Sequence, residues 1–212
     1  MLSNTAVARP FVQLIALFHP WGGLILLLLG MGAGLPVAAQ CPDPKPVLVH
    51  LFLGGVYDTE TGIMHDSLRV HGLLPLTEPY SALGYVHKGG GGGELSHPSV
   101  FGIMGPDAIV DWVVVELRHP NDPGKRIATK SALLQRSGSV IAANGQPLTF
   151  CVPAGKYQVA VRHRNHLGVI TARSVLLDGN VAEVDLRGPD APDRVRGGTQ
   201  ALQALTSDST LF

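Results

Sequence analysis

Between Val47 and Leu186 the apolar residues fall into short runs cut by glycine, proline, asparagine and aspartate, a pattern that predicts strands and turns rather than helices. "AIVDWVVVELRHP" (Ala108–Pro120) is the clearest strand. Alternation places Ile109, Asp111, Val113, Val115 and Leu117 on one face and Val110, Trp112, Val114, Glu116 and Arg118 on the other. Pro120 and the following "NDPG" predict a turn. "KYQVAVRHR" (Lys156–Arg164) alternates as well, with Tyr157, Val159, Val161 and His163 on one side and Lys156, Gln158, Ala160, Arg162 and Arg164 on the other.

The remaining strands follow from the same signals. Val47–Gly55 is the first strand, and Arg126–Gly138 is one that ends in a tight turn. Ser139–Gly155 contains two short strands around Asn144–Gly145, and Gly168–Leu186 two more around Asp178–Gly179–Asn180. This spacing is that of an all-β, antiparallel β-sandwich with a core domain over 47–186. Val56–Lys88 has scattered turn residues and no sustained period, so it reads as a long, partly ordered N-terminal excursion. Gly89–Gly93 reads as a flexible loop; a phosphate cradle would need a strand before it and a helix after it. Residues 187–212 are polar and expected to be mostly flexible, with Thr199–Thr206 the one stretch suited to a short helix.

The beginning of the chain has a different composition. Residues 1–39 carry a single charge, Arg9, and contain the apolar core "GGLILLLLGMGAGL" (Gly22–Leu35). Val37 and Ala39 occupy the −3 and −1 positions of a signal-peptidase site, which predicts cleavage before Gln40 and an exported protein, secreted or at the cell surface. The alternative is an uncleaved anchor, for which the core is short of the roughly 20 residues a span requires. Residues 40–46 then form a proline-rich lead-in. Export implies an oxidising compartment, where Cys41 and Cys151, the only cysteines, have one disulfide available to them; two free thiols are the alternative. Gln40 stands where a lipidation motif needs a small residue, which argues against a lipid anchor at Cys41.

Formal net charge is zero and charged residues make up 15% of the chain, so no basic field is present to attract nucleic acid. The densest polar cluster is Arg162, His163, Arg164, Asn165 and His166. The alternation makes it a strand terminus in which His163 turns inward and Asn165 turns the backbone. Asp111, an acid inside an apolar strand face, needs a buried donor, and His163, Arg162 and Arg164 are the candidates.

Two sharper readings compete with this architectural one. His163 and His166 with Asp111, or with His65, are the ligand types of a metal-dependent hydrolase, although an HxxH spacing on a strand separates the imidazoles unless the chain turns. Tyr80, Tyr85 and Trp112 are the residue types of a platform for sugar or peptide, which would make a carbohydrate-binding module; the competing expectation is a Trp112 buried in the core. Ser67, Ser81 and Ser131 lack a nucleophile elbow, and "DTETG" (Asp58–Gly62) lacks the length and terminal glutamate of a calcium loop and reads as a polar turn. No catalytic residue, resident metal or cofactor is assigned.

The blocks "MHDSLRVHGLLPLTEPYSALGY", "IVDWVVVELR", "SALLQRSGSV" and "AGKYQVAVRHRNHLGVITA", in this order over about 47–185, resemble a recurrent module of large secreted and surface proteins of Bacteroidetes-type bacteria. The resemblance implies a non-catalytic, immunoglobulin- or prealbumin-like β-sandwich serving adhesion or assembly, with surface glycans or other exported proteins as partners. Such modules are usually followed by a dockerin-like "GDxNxDG" segment and a type IX sorting domain. This sequence has neither pattern, ending at "TSDSTLF", so it is expected to be a stand-alone or truncated version.

Overall fold

The computed structural model describes residues 41–188 and 190–202. The expected leader, its cleavage site before Gln40, and residues 203–212 lie outside the described residues. Strands β1 (Lys45–His50), β4 (Ile109–His119), β5 (Asp122–Gln135), β6 (Ser139–Ala142), β7 (Thr149–Phe150), β8 (Gly155–His163), β9 (His166–Ile170), β10 (Val175–Leu177) and β11 (Ala182–Asp185) join one sheet. Its order is β10-β8-β4-β5-β6-β1-β11, with β7 added beside β1 and β9 beside β8. A separate two-stranded hairpin pairs β2 (Tyr57–Asp58) with β3 (Ile63–Met64). One-turn helices α1 (Ser67–Val70), α2 (Pro98–Phe101) and α3 (Ala191–Arg194) complete the elements, with 3₁₀ turns at Gly105–Asp107 and Gly198–Gln200.

The topology forces the sheet to roll. β10 and β11 stand at opposite ends of the strand order, yet Leu177 and Ala182 are joined by a short turn through Asp178–Gly179–Asn180. That connection reaches at most about 18 Å fully extended. A flat path across the same strands would measure about 29 Å. The sheet therefore curls until its ends approach, around an interior that takes Val47 and Val49 from β1, Val113 and Val115 from β4, Val159 and Val161 from β8, and Val184 from β11. The pairing is antiparallel except between β1 and β11, which run parallel (Val47 opposite Ala182, Val49 opposite Val184). This corrects the expectation of an antiparallel sheet throughout, and the tight link from β10 is the reason: it delivers β11 to the far edge instead of folding it back as a hairpin.

β4 is buried along nearly its whole length. Val113, Val115 and Leu117 face the interior, as the alternation predicts, but Ile109 and Val110 have exchanged faces. A β-bulge between Ile109 and Asp111 inserts one residue into the ladder with β5 and inverts the phase before it. The outer face of β4 and β5 carries a second apolar cluster of Ile109, Trp112, Val114 and Leu133, joined by Tyr80 from the excursion and Val100 from α2. The segment that looked only partly ordered is thus the cover of the sheet's second face. Thr77 and Leu95 bridge across it, with Glu78 donating its N–H to Glu94 and Ser96 to Leu76.

The five glycines are part of this cover and not a free loop. A Cβ at Gly91 would lie 1.8 Å from the carbonyl oxygen of Thr129 on β5, and one at Gly89 would lie 2.8 Å from Ala128 Cβ. Thr129 in turn donates its N–H to Lys88 O at 3.0 Å. Glycine is required because the loop backbone lies directly on the strand backbone. Within the described residues 190–202, the chain after Leu186 packs back onto the sheet. Ala191 and Val195 are buried, Thr171 and Val195 form a bridge, and Ala172 donates its N–H to Arg194 O. These apolar residues dock the tail beside β9.

Gly91→Ala is expected to destabilise the protein by at least about 1–3 kcal/mol through overpacking. Gly90→Ala, where nothing lies within 4 Å and only the φ of +87° opposes a side chain, should cost less. Thermal melts of the two variants check the ordering; an unchanged Tm for Gly91→Ala would show that the loop does not rest on β5.

Candidate functional site

Among the described residues three acids are buried: Glu78, Asp111 and Glu116. Each is satisfied by a different set of donors, and these sets contain most of the polar residues that the sequence brings forward.

Asp111 lies just after the bulge, where β4 extends beyond its partner: pairing with β8 begins only at Val114. Trp112 therefore has a backbone N–H and C=O facing no strand. Asp111 Oδ1 accepts the Trp112 N–H at 2.7 Å, and Tyr80 donates its hydroxyl to Trp112 O at 2.6 Å. The same acid takes His163 Nε2 on Oδ2 at 3.0 Å and Arg164 Nη1 on Oδ1 at 2.7 Å. The Asp111 and His163 side chains are 3% and 5% exposed, so the pair is largely shielded from solvent.

The β8–β9 hairpin positions the rest of the cluster. The chain turns through Arg164 and Asn165, and His163 comes to lie opposite His166. Asn165 donates its N–H to His163 Nδ1 at 3.2 Å, and His166 Nδ1 lies 2.9 Å from that same nitrogen. One proton arrangement satisfies all of these contacts. His163 carries its hydrogen on Nε2, for Asp111, and accepts at Nδ1 from Asn165 and from His166 Nδ1–H. Partial burial, and then the neighbouring His163, lower the pKa of His166 below its ordinary value. The turn thus removes the objection that HxxH separates its rings, but it uses the facing nitrogens to bond one another. Asp111, His163 and His166 come together; His65 lies apart from them, its Nε2 4.0 Å from Asp58. A groove of about 310 Å³ meets this cluster, lined by His163 and His166 with Phe52, Leu53, Val161 and Leu167 among others.

Glu116, fully buried on the outer face, accepts Arg118 Nε on Oε2 at 2.6 Å and Arg162 Nε on Oε1 at 2.8 Å. Tyr85 donates its hydroxyl to Oε1 at 2.5 Å, while the Arg126 guanidinium stacks 5.0 Å from the Tyr85 ring centroid. Burial, reinforced by the bond to Glu116, pushes the Tyr85 phenol up to about 12. Arg162 thus belongs to Glu116 and not to Asp111. Sequence reasoning passed over Glu116 even though its signal, a charge inside the run "VVVEL", is the one that singled out Asp111.

Glu78 is held mainly by neutral donors. Its carboxylate accepts the N–H groups of Tyr80, Ser81 and Gly93 and the hydroxyl of Ser131. Burial alone would raise its pKa, but the bonds from Ser81, Gly93 and Ser131 outweigh it and hold the carboxyl below its usual range. His87 Nε2 lies 3.7 Å from Glu78 Oε2. The sequence carries no signal for this site, because Glu78 lies among turn residues rather than in a periodic run.

The aromatic residues are packing elements. Trp112 is fully buried with its Nε1 donating to Pro75 O at 2.9 Å, Tyr80 is buried, and Tyr85 is half-buried. Tyr80 and Tyr85 meet edge to face. Trp112 and Tyr80 are sealed between the sheet and the excursion, with Tyr85 partly exposed at the edge of the same cluster. The Asp58–Gly62 turn is closed by its own side chains, with Asp58 accepting from the Glu60 N–H and the Thr61 hydroxyl. Cys41 and Cys151 form a disulfide, which ties the lead-in to the segment after β7.

Asp111→Ala is expected to lower stability by about 1–3 kcal/mol, because it strips the Trp112 N–H, His163 and Arg164 of their shared acceptor. Chemical denaturation of the variant checks this; a midpoint unchanged within error would contradict the architectural role.

No protein-family model, no curated protein and no solved structure matches this chain.

Proposed function

We propose that the protein is an exported, non-catalytic β-sandwich module, immunoglobulin- or prealbumin-like in type, that serves adhesion or assembly at the cell surface or in the secreted fraction. The observation that carries this reading is the way the Asp111–His163–Arg164 cluster is satisfied by its own neighbours. Both oxygens of the acid and both nitrogens of His163 are engaged by neighbours in the fold, so the constellation nearest to a reactive site joins the start of β4 to the β8–β9 hairpin. The Cys41–Cys151 disulfide supports an oxidising destination. The resemblance to surface-protein modules supports the same destination and the same role, with other exported proteins or surface glycans as partners.

The export half of this reading is tested by producing the full chain, with its own first forty residues, in a bacterial host with a periplasm. The expected product lies outside the cytoplasm, begins at Gln40, is reached by protease added to intact cells or recovered from the medium, and shows no free thiol until reduced. A cytoplasmic product that keeps Met1 and presents two titratable thiols would overturn the reading.

A further inference from the structure

Glu78, His87 and Glu94 each offer a ligand atom, and the three atoms lie within 4.8 Å of one another. Glu78 is fixed by its four donors. Glu94 is fixed by the Gly92 N–H, 3.1 and 3.0 Å from its two oxygens. The glycine run thus holds both acids, through Gly92 and Gly93, while its backbone rests on β5.

His87 is the independent sign of a ligand. Its side chain is only 6% exposed, and its Nε2 is buried with no hydrogen-bond partner. The other ring nitrogen is held: Nδ1 lies 3.0 Å from the Thr129 hydroxyl oxygen. That hydroxyl also accepts the Lys88 N–H at 2.9 Å, so β5 holds the ring by its Nδ1 edge. Nε2, without a hydrogen-bond partner, faces the Glu78 carboxylate across 3.7 Å, with Glu94 close by. Three potential ligand atoms converge, and among the described residues no arginine or lysine is bonded to either acid, in contrast to the arrangement at Asp111 and Glu116. A second-shell bond that fixes the non-ligating nitrogen is the usual arrangement of a metal-binding histidine. An ion about 2.0–2.1 Å from each ligand needs its donor atoms no more than about 4.2 Å apart, so ligand atoms that lie within 4.8 Å of one another close on it with at most a small inward shift.

We propose that Glu78, His87 and Glu94 bind one divalent transition-metal ion of the zinc class, which clamps the excursion and its glycine run onto β5. The mixed imidazole and carboxylate donor set selects this class over calcium or magnesium. The ion is structural, and the proposal goes beyond the adhesion or assembly role without depending on it.

Calorimetric titration of the purified, metal-stripped full chain with Zn²⁺ tests it, with Co²⁺ absorption as a second readout. The expected result is one saturable site with a dissociation constant below the millimolar range and a rise in Tm on binding. Glu94→Gln and His87→Gln should each weaken binding at least tenfold, whereas His166→Ala leaves it unchanged. Glu94 is half-buried at the surface, so Glu94→Gln keeps the test decisive should His87→Gln fail to fold, and circular dichroism establishes which variants are folded. The absence of a saturable zinc site, or a site that persists in folded Glu94→Gln or disappears with His166→Ala, would overturn the proposal.

Discussion

A strand buried on both faces needs two covers, and β4 is such a strand. Its inner face is closed by the rolled sheet itself, because the short link from β10 to β11 brings the two ends of the sheet together. Its outer face, with Trp112 and Val114, is closed by the excursion. The excursion therefore belongs to the core: without it, Trp112 and the apolar side of β5 would face water. The hydrogen bonds from Tyr80 to Trp112 O and from Trp112 Nε1 to Pro75 O attach the cover to the strand beneath it.

The same burial explains the polar chemistry. An acid in a doubly covered strand has little water to solvate it, so the fold must supply donors. Asp111 receives an imidazole, a guanidinium and the backbone N–H left free where β8 turns away; Glu116 receives two guanidinium groups and a phenol. Glu78, on the covering layer, receives amides and a hydroxyl, with only His87 as a nearby base. The first two arrangements join strands to one another.

How much of this was legible in the sequence depended on whether the signal was local. Strands β4 and β8 were readable because alternation is a property of consecutive residues, β5 from its length and the turn at Ser137–Gly138, and the Asp111–His163 pair followed because both residues continue inward-facing rows. The β10–β11 turn was readable from Asp178–Gly179–Asn180, but not the fact that its two strands reach opposite edges and make one parallel pair, since partner choice is set by the whole sheet. The bulge that exchanges Ile109 and Val110 leaves no mark on composition. The glycine run was the sharpest misreading. Five glycines suggest freedom when read alone, whereas here they permit a backbone-to-backbone approach to Thr129, a residue far along the chain. The Asp111 cluster could be anticipated and the Glu78–His87–Glu94 cluster could not, because the latter is assembled by that same long-range contact.

Native-state hydrogen exchange tests the doubly covered strand most directly. The amides of Glu78, Ser96 and Thr129 donate to Glu94, Leu76 and Lys88, and so report on the cover and its seat on β5. The account predicts that they are protected to a degree comparable with the amides of β4 and β5. Exchange at these three amides near the rate of an unstructured chain, while β4 and β5 stay protected, would contradict it.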